Sequence, residues 1–195
     1  MHSEFITSCA TVMDFPDPSL PEIAFIGRSN SGKSTLLNAL AGHKSLARTG
    51  STPGQTRLIN FFRINGKKIF VDLPGYGYAK GKDAIRANWP ILVDSYLQRP
   101  SLEEFLFLMD ARRSLDEEDV ALLRQLQQYI DPVIILTKAD KMSRNEQRAV
   151  LEKAKSQMHA KGIGCRATFL VSTLTKLGIA ELAEYLNLAS QTNPP

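Results

Sequence analysis

Acidic residues are missing from one long stretch of this 195-residue chain: no Asp or Glu occurs between Ile23 and Val71. The same stretch carries Arg28, Lys33, Lys44, Arg48, Arg57, Arg63, Lys67 and Lys68. Locally the sequence offers these cations no partner. That leaves two readings, a solvated basic face or a surface drawn to a polyanion such as RNA. Cysteine is equally scarce, with only Cys9 and Cys165. Two distant thiols in no metal-ligand spacing exclude a disulfide framework and read as free thiols of a reducing cytoplasm. No apolar run approaches the ~20 residues that cross a bilayer, so no membrane partner is expected. Residues 1–21 lack a charged segment followed by an apolar core, so no export signal is read.

What the chain does hold is enough for one well-buried domain: 43% hydrophobic residues, 23% charged, net charge +4. Its most informative segment is Gly27-Arg28-Ser29-Asn30-Ser31-Gly32-Lys33-Ser34, which fits the phosphate-loop pattern G-x-x-x-x-G-K-[ST] in full. The apolar run Ile23–Ile26 before it reads as a buried strand, and Thr35 opens a helix. A strand, a tight glycine-bearing loop and a helix start aim several backbone N–H groups at one spot, where the helix adds partial positive charge. A polyphosphate is the natural occupant. Lys33 would reach its β- and γ-phosphates and the Ser34 hydroxyl would ligate Mg²⁺.

Further along, Phe5–Val12 has β-propensity and would add an N-terminal edge strand, and Asp14–Pro21 is a proline-rich loop. Leu58–Ile64 and Lys68–Leu73 are β-rich runs split by Asn65-Gly66, the strongest short hairpin signal. His43–Thr56 reads as a loop, and Asp83–Gln98 as a helix kinked or broken at Pro90. Strands at Phe105–Met109, Val133–Leu136 and Thr168–Val171 alternate with helices at Leu115–Tyr129, Glu146–Ala160 and Ile179–Leu188. This alternation predicts an α/β, doubly wound, mostly parallel sheet with one antiparallel strand. The expected organisation is an N-terminal extension over 1–21, a single domain over 22–190 and a disordered tail over 191–195.

Two more motifs fall where ligands bind such sheets, past the strand C-termini. Asp72-Leu73-Pro74-Gly75 ends an apolar strand. Asp72 would hold Mg²⁺ mainly through water, and the Gly75 N–H would sense a γ-phosphate. Thr137-Lys138-Ala139-Asp140 follows the run Val133–Leu136. A carboxylate at Asp140 accepts both N1–H and the 2-amino group of guanine, a donor pair adenine lacks, and the Lys138 stem would lie along the base. Leaving such a carboxylate unpaired discriminates by up to ~10⁴ or more, which favours GTP over ATP. Backbone N–H groups of Val171-Ser172-Thr173 would contact guanine O6.

The order GRSNSGKS, TPGQT, DLPG, TKAD and VST resembles the five G motifs of translation-factor-related P-loop GTPases. The phrases KSLARTGSTPGQT, NFF, VDLPGYGYAK and DARRSL narrow this to a close resemblance to the EngB (YihA/YsxC) family of bacterial ribosome-assembly GTPases, from about Phe5 to Leu188. The resemblance implies a cytoplasmic, monomeric, Mg²⁺-dependent GTPase that cycles between GTP and GDP and associates with the large ribosomal subunit precursor and its rRNA, with no DNA expected. It places the first switch segment at Gly54-Gln55-Thr56-Arg57-Leu58, with Thr56 as second Mg²⁺ ligand and Thr52 as its competitor. It also implies a K⁺ beside Asn30, although that amide would serve equally to tie down the loop. Relatives commonly carry a Gln after D-x-x-G to orient the attacking water. This chain has Tyr76, whose phenol is a poor base near neutral pH, so intrinsic hydrolysis is expected to be slow. Two other readings stay open: a GTP-gated RNA-binding scaffold with incidental hydrolysis, and a G-domain switch for another process such as cell division or tRNA modification.

Overall fold

The apolar runs of the sequence become neighbouring strands because each has turn residues at both ends and hydrophobic side chains on both faces. The structure, a computed structural model, describes residues 2–47, 58–76 and 84–188, with backbone only at 84–90. Within these, β1 (Ser3–Cys9), β2 (Glu22–Gly27), β3 (Ile59–Ile64), β4 (Lys68–Asp72), β5 (Leu102–Asp110), β6 (Val133–Thr137) and β7 (Ala167–Leu170) form one sheet. Its order is β1-β3-β4-β2-β5-β6-β7. β3 pairs antiparallel with both β1 and β4, and the other pairings are parallel, so β3 alone runs against the rest. The doubly wound, mostly parallel sheet with one opposed strand is therefore present.

Asn65 and Gly66 join β3 to β4 with φ of 52° and 65°. Both values are left-handed, as a type I′ hairpin requires. The N-terminal strand is shorter than the sequence suggests. It ends at Cys9, and Val12 instead enters a single 3₁₀ turn, Val12–Asp14, closed by Asp14 accepting from the Thr11 N–H and hydroxyl at 3.0 Å each. Burial and the nearby Asp14 push the Cys9 thiol up to about 11, so it stays protonated and inert.

Among the described residues, five α-helices cover the sheet: α1 (Lys33–Leu40), α2 (Ala84–Leu97), α3 (Glu117–Leu126), α4 (Arg144–Ala160) and α5 (Ile179–Tyr185). Strand alternation divides the core. Ala24, Ile26, Phe105, Phe107 and Met109 face one layer with α2, α3 and α4. Ile23, Phe25, Leu106 and Leu108 face the other with α1 and α5. No helix among the described residues is long and apolar enough to cross a membrane.

Two helix expectations need adjustment. Of the kink or break expected at Pro90, the break is absent: α2 continues through Pro90 as one element. An interior proline costs on the order of 3 kcal/mol. Leu92, Val93, Tyr96 and Leu97, all buried, return about 1.5–3 kcal/mol each. Packing therefore outweighs the lost hydrogen bond. α3 begins after Leu115, not at it: Asp116 is the N-cap, forming a capping box with Asp119. Leu115 and Val120, in one core cluster, occupy the positions of a hydrophobic staple.

A buried ion pair anchors the entry to β2. Arg99 donates to Glu22 from Nε at 3.1–3.2 Å and from its terminal nitrogen at 2.8 Å, and to the Pro16 carbonyl at 2.7 Å. Its guanidinium lies 5.5 Å from the Phe15 ring centroid and 5.7 Å from that of Phe61. Removing one partner strands the other charge. Glu22→Ala is expected to cost about 3–5 kcal/mol, read as a fall in the urea midpoint, and Arg99→Met in the same chain should restore much of it.

Candidate functional site

β2 ends at Gly27 and α1 starts at Lys33, so the glycine-lysine loop spans the C-terminal edge of the sheet. In register, Phe25 faces Asp72, Gly27 faces Leu108 and Asp110 faces Thr137. All three motifs therefore surface at the same edge. The loop turns through Asn30 (φ 64°) and Gly32 (φ 90°), and the Ser31 N–H donates to the Arg28 carbonyl at 3.0 Å. A Cβ on Gly27 would lie 2.7 Å from the Leu108 carbonyl oxygen, so only glycine fits there.

No side chain caps α1. The amides of Gly32, Lys33, Ser34 and Thr35 have no backbone acceptor among the described residues. Unpaired N–H groups at a helix start are a ready anion cradle. Lys33 Nζ pairs with the Asp72 carboxylate beside this cradle. The Asp72 carboxylate is buried, and Ser34 lies in the first turn of the same helix as Lys33.

The Asp72-Leu73-Pro74-Gly75 segment runs along the loop. The Leu73 N–H donates to Phe25 O at 3.0 Å, and Arg28 and Tyr76 form a parallel bridge. A Cβ on Gly75 would lie 3.1 Å from Gly27 O, which keeps the two backbones in close approach.

The sequence reading leaves the Arg28 side chain open to serving the nucleotide. It is committed elsewhere. Its guanidinium donates to Asp119 at 3.0 Å, Asp116 at 2.7 Å and Glu118 at 2.8 Å, all at the N-terminal turn of α3. Tyr76 joins the same cluster. Its hydroxyl donates to Asp119 Oδ1 at 2.8 Å, its ring lies 5.8 Å from that of Phe107, and Arg28 sits 5.5 Å over it. Burial, then the Asp119 charge, raises the phenol far above its usual range. It is a neutral anchor, not a base. Residue type and spacing gave no sign of this network, because Arg28 and Asp119 are distant in sequence.

Other members of the acid-free stretch also find partners outside it: Arg63 pairs with Glu4 at 2.8 Å and Lys68 with Glu103 at 2.5 Å. Lys44 and Lys67 stay exposed. The buried Asn38 was also missed. Its amide donates to Ala47 O at 2.9 Å and accepts from Ala47 N–H at 2.7 Å, fixing the chain after α1. Gly54, Gln55, Thr56, Arg57 and the competing Thr52 lie outside the described residues, while Leu58 directly precedes β3.

On the other side of the loop, a cleft of about 250 Å³ is lined by Gly32, Thr35, Lys138, Asp140, Val171 and Thr173, among others. Thr137 also lines this cleft, and its hydroxyl donates to Ser31 O in the loop at 2.6 Å. Lys138 adopts φ 61° with Nζ 3.2 Å from Asp110. Ala139 is fully buried and its N–H donates to Val171 O at 3.1 Å. The Asp140 carboxylate accepts from the buried Ser172 hydroxyl at 2.7 Å. The Val171 N–H donates to Leu136 O at 2.8 Å and the Ser172 N–H to Leu177 O at 3.0 Å, so two of the three amides expected at guanine O6 are spent within the protein, and only that of Thr173 has no backbone acceptor among the described residues. Leu174, exposed at the cleft margin, had no signal in the sequence.

The sheet, the loop and the cleft together define a P-loop GTPase domain, and the comparisons agree. A family model described as "50S ribosome-binding GTPase" matches residues 22–139. The fold alone is shared with Era in complex with MgGDPNP and nucleotides 1506–1542 of 16S ribosomal RNA (TM-score 0.67, 21% identity, 90% of this chain and 59% of that one). It is also shared with a crystal structure of a probable GTP-binding protein EngB (TM-score 0.62, 22% identity, 86% and 97%). By sequence the chain is 49% identical over 146 residues to a probable GTP-binding protein EngB of Geobacter metallireducens, covering 74% of this chain and 72% of that one. It is 44% identical over 178 residues to the corresponding protein of Desulfosudis oleivorans, covering 90% and 89%. The chain belongs to the EngB family of GTP-binding proteins.

Tyr76→Phe tests the anchor reading. It is expected to lower stability by about 1.5–3 kcal/mol, the range for a hydrogen bond to a charged group. Hydrolysis measured in single turnover should stay within about twofold, whereas removing a general base costs ~10²-fold or more.

Proposed function

We propose that this protein binds GTP with Mg²⁺, hydrolyses it slowly, and uses the nucleotide state to time its association with the maturing large ribosomal subunit. The observation that carries this is the row of amides at the start of α1 with no backbone acceptor among the described residues, together with Asp140 in the lining of the adjoining cleft. The amides suit a polyphosphate and Asp140 a guanine. Asp140 spends one acceptor site on Ser172. A carboxylate has about four such sites, so capacity remains for the N1–H and 2-amino donors that only guanine presents. The Val171–Thr173 turn borders the same cleft.

The residues beside the loop fit Mg²⁺, with a hydroxyl at Ser34 and a buried carboxylate at Asp72; Thr56, outside the described residues, would supply a second hydroxyl. Mg²⁺ would neutralise developing phosphate charge. Lys33 would exchange Asp72 for the β- and γ-phosphates, and the loop amides would hold the oxygens. The Gly75 N–H and Thr56 would read the γ-phosphate, and its loss would release both segments.

Tyr76 is held by Asp119, so this position supplies no water-orienting group. Slow intrinsic hydrolysis follows from that. Asn30, exposed at the loop's turn, would be placed to help hold a K⁺ that supplies the missing charge. The same tethered Tyr76 favours, as a second reading, an RNA-binding scaffold whose hydrolysis is incidental. The exposed Lys44 and Lys67, with Arg48, Arg57 and Lys80 on the flanking segments, would give rRNA a basic surface whose affinity depends on salt.

Co-sedimentation with ribosomal particles from cells depleted of this protein separates the readings. Association is expected to be stronger with a non-hydrolysable GTP analogue than with GDP and to fall steeply with added salt. Salt-insensitive binding would point to protein contacts, and binding equal in both nucleotides to a scaffold. Single-turnover hydrolysis is expected to be slow and faster in K⁺ than in Na⁺ buffer. Equal rates in the two would remove the K⁺ site.

A further inference from the structure

The segment Asp110–Leu115 stands out in the sequence yet contributes nothing to the mechanism described so far. Asp110 ends β5, paired in register with Thr137 at the end of β6. It is buried, and its carboxylate accepts from Arg112 Nε at 2.9 Å, from the Arg112 terminal nitrogen at 2.7 Å and from the Arg112 N–H at 3.1 Å. On the same carboxylate, Lys138 Nζ stands 3.2 Å away.

Arg112 alone would satisfy this carboxylate with a bidentate fork. Lys138 is therefore not needed to neutralise Asp110, and what the contact does is hold the lysine. Lys138 is an unusual residue to hold. Its backbone is left-handed at φ 61°, a conformation that strains a residue bearing a side chain. Strain of this kind persists where surroundings over-determine it and clusters at ligand clamps. Here the backbone is set by the tight turn through Ala139, whose N–H is bound to Val171 O, and the far end of the side chain by Asp110. Between two fixed ends, the four-carbon stem forms part of the wall of the cleft.

We propose that Asp110, braced by Arg112, is a positioning residue for nucleotide affinity: it holds the Lys138 stem as a preformed apolar plate against the purine. This rests on the guanine reading above. An untethered lysine would be immobilised anew in each binding event, and a tethered one has already lost that freedom. The plate touches a ring face, so it serves any purine. Base identity is left to Asp140.

The test uses the full chain and fluorescent-analogue competition to measure affinity for GDP and for IDP, which lacks the 2-amino group. Asp110→Asn is expected to weaken both by the same factor, about fivefold to tenfold, the scale of immobilising one rotamer-rich side chain. Asp140→Ala should instead abolish the preference for GDP over IDP. In a Lys138→Ala background, Asp110→Asn should change GDP affinity by less than about twofold, because coupled residues are non-additive. Should Asp110→Asn not fold, Arg112→Gln, at a largely exposed side chain, loosens the same brace and should show a smaller loss with the same dependence on Lys138. Unchanged GDP affinity in Asp110→Asn, or a full effect without Lys138, overturns the proposal while leaving guanine recognition intact. GDP binding indifferent to Asp140→Ala overturns both.

Discussion

Backbone amides at the start of α1 without a backbone acceptor among the described residues are the constraint around which the rest of this molecule is arranged. A helix start normally recruits a side chain to cap it. Here Gly32 occupies the N-cap with φ 90° and offers none. Leaving such groups unpaired is unfavourable unless something outside the chain accepts from them. The neighbouring elements keep the cradle open. Gly27 admits the Leu108 backbone, Thr137 ties the loop from one side, and the Leu73–Tyr76 segment lies against it from the other.

The same loop is wired to α3. Arg28, Tyr76, Asp116 and Asp119 form one cluster that joins the phosphate loop, the segment after Asp72 and a helix cap. Asp119 is fully buried and accepts from two elements at once. Any movement of the backbone at Gly75 is therefore felt by Tyr76 and, through Asp119, at the head of α3. This gives a physical route from the Gly75 side of the cradle to a helix on the opposite layer of the sheet.

Much of the architecture was legible in advance because its signals are local. Asn65-Gly66 announces a hairpin by backbone preference alone, and Ile23–Ile26 followed by the glycine-lysine loop announces strand, turn and helix. Where the reading failed, a distant group overruled a local rule. Pro90 disfavours a helix, yet α2 continues because the residues after it bury against the sheet. Leu115 has helical periodicity, yet lies before the helix because Asp116 caps it.

Sequence by itself determined the class of fold, the phosphate loop, the two aspartates at strand ends and the family. Each is a short pattern in which neighbouring residues act on one another through the backbone. Only the tertiary structure decided what the charges do. A run from Ile23 to Val71 without acids looks like a bare basic surface, but Arg28, Arg63 and Lys68 meet carboxylates supplied by residues far along the chain. Ion pairing depends on distance in space, and the crossovers of a doubly wound sheet bring together at one edge residues that the sequence holds dozens of positions apart.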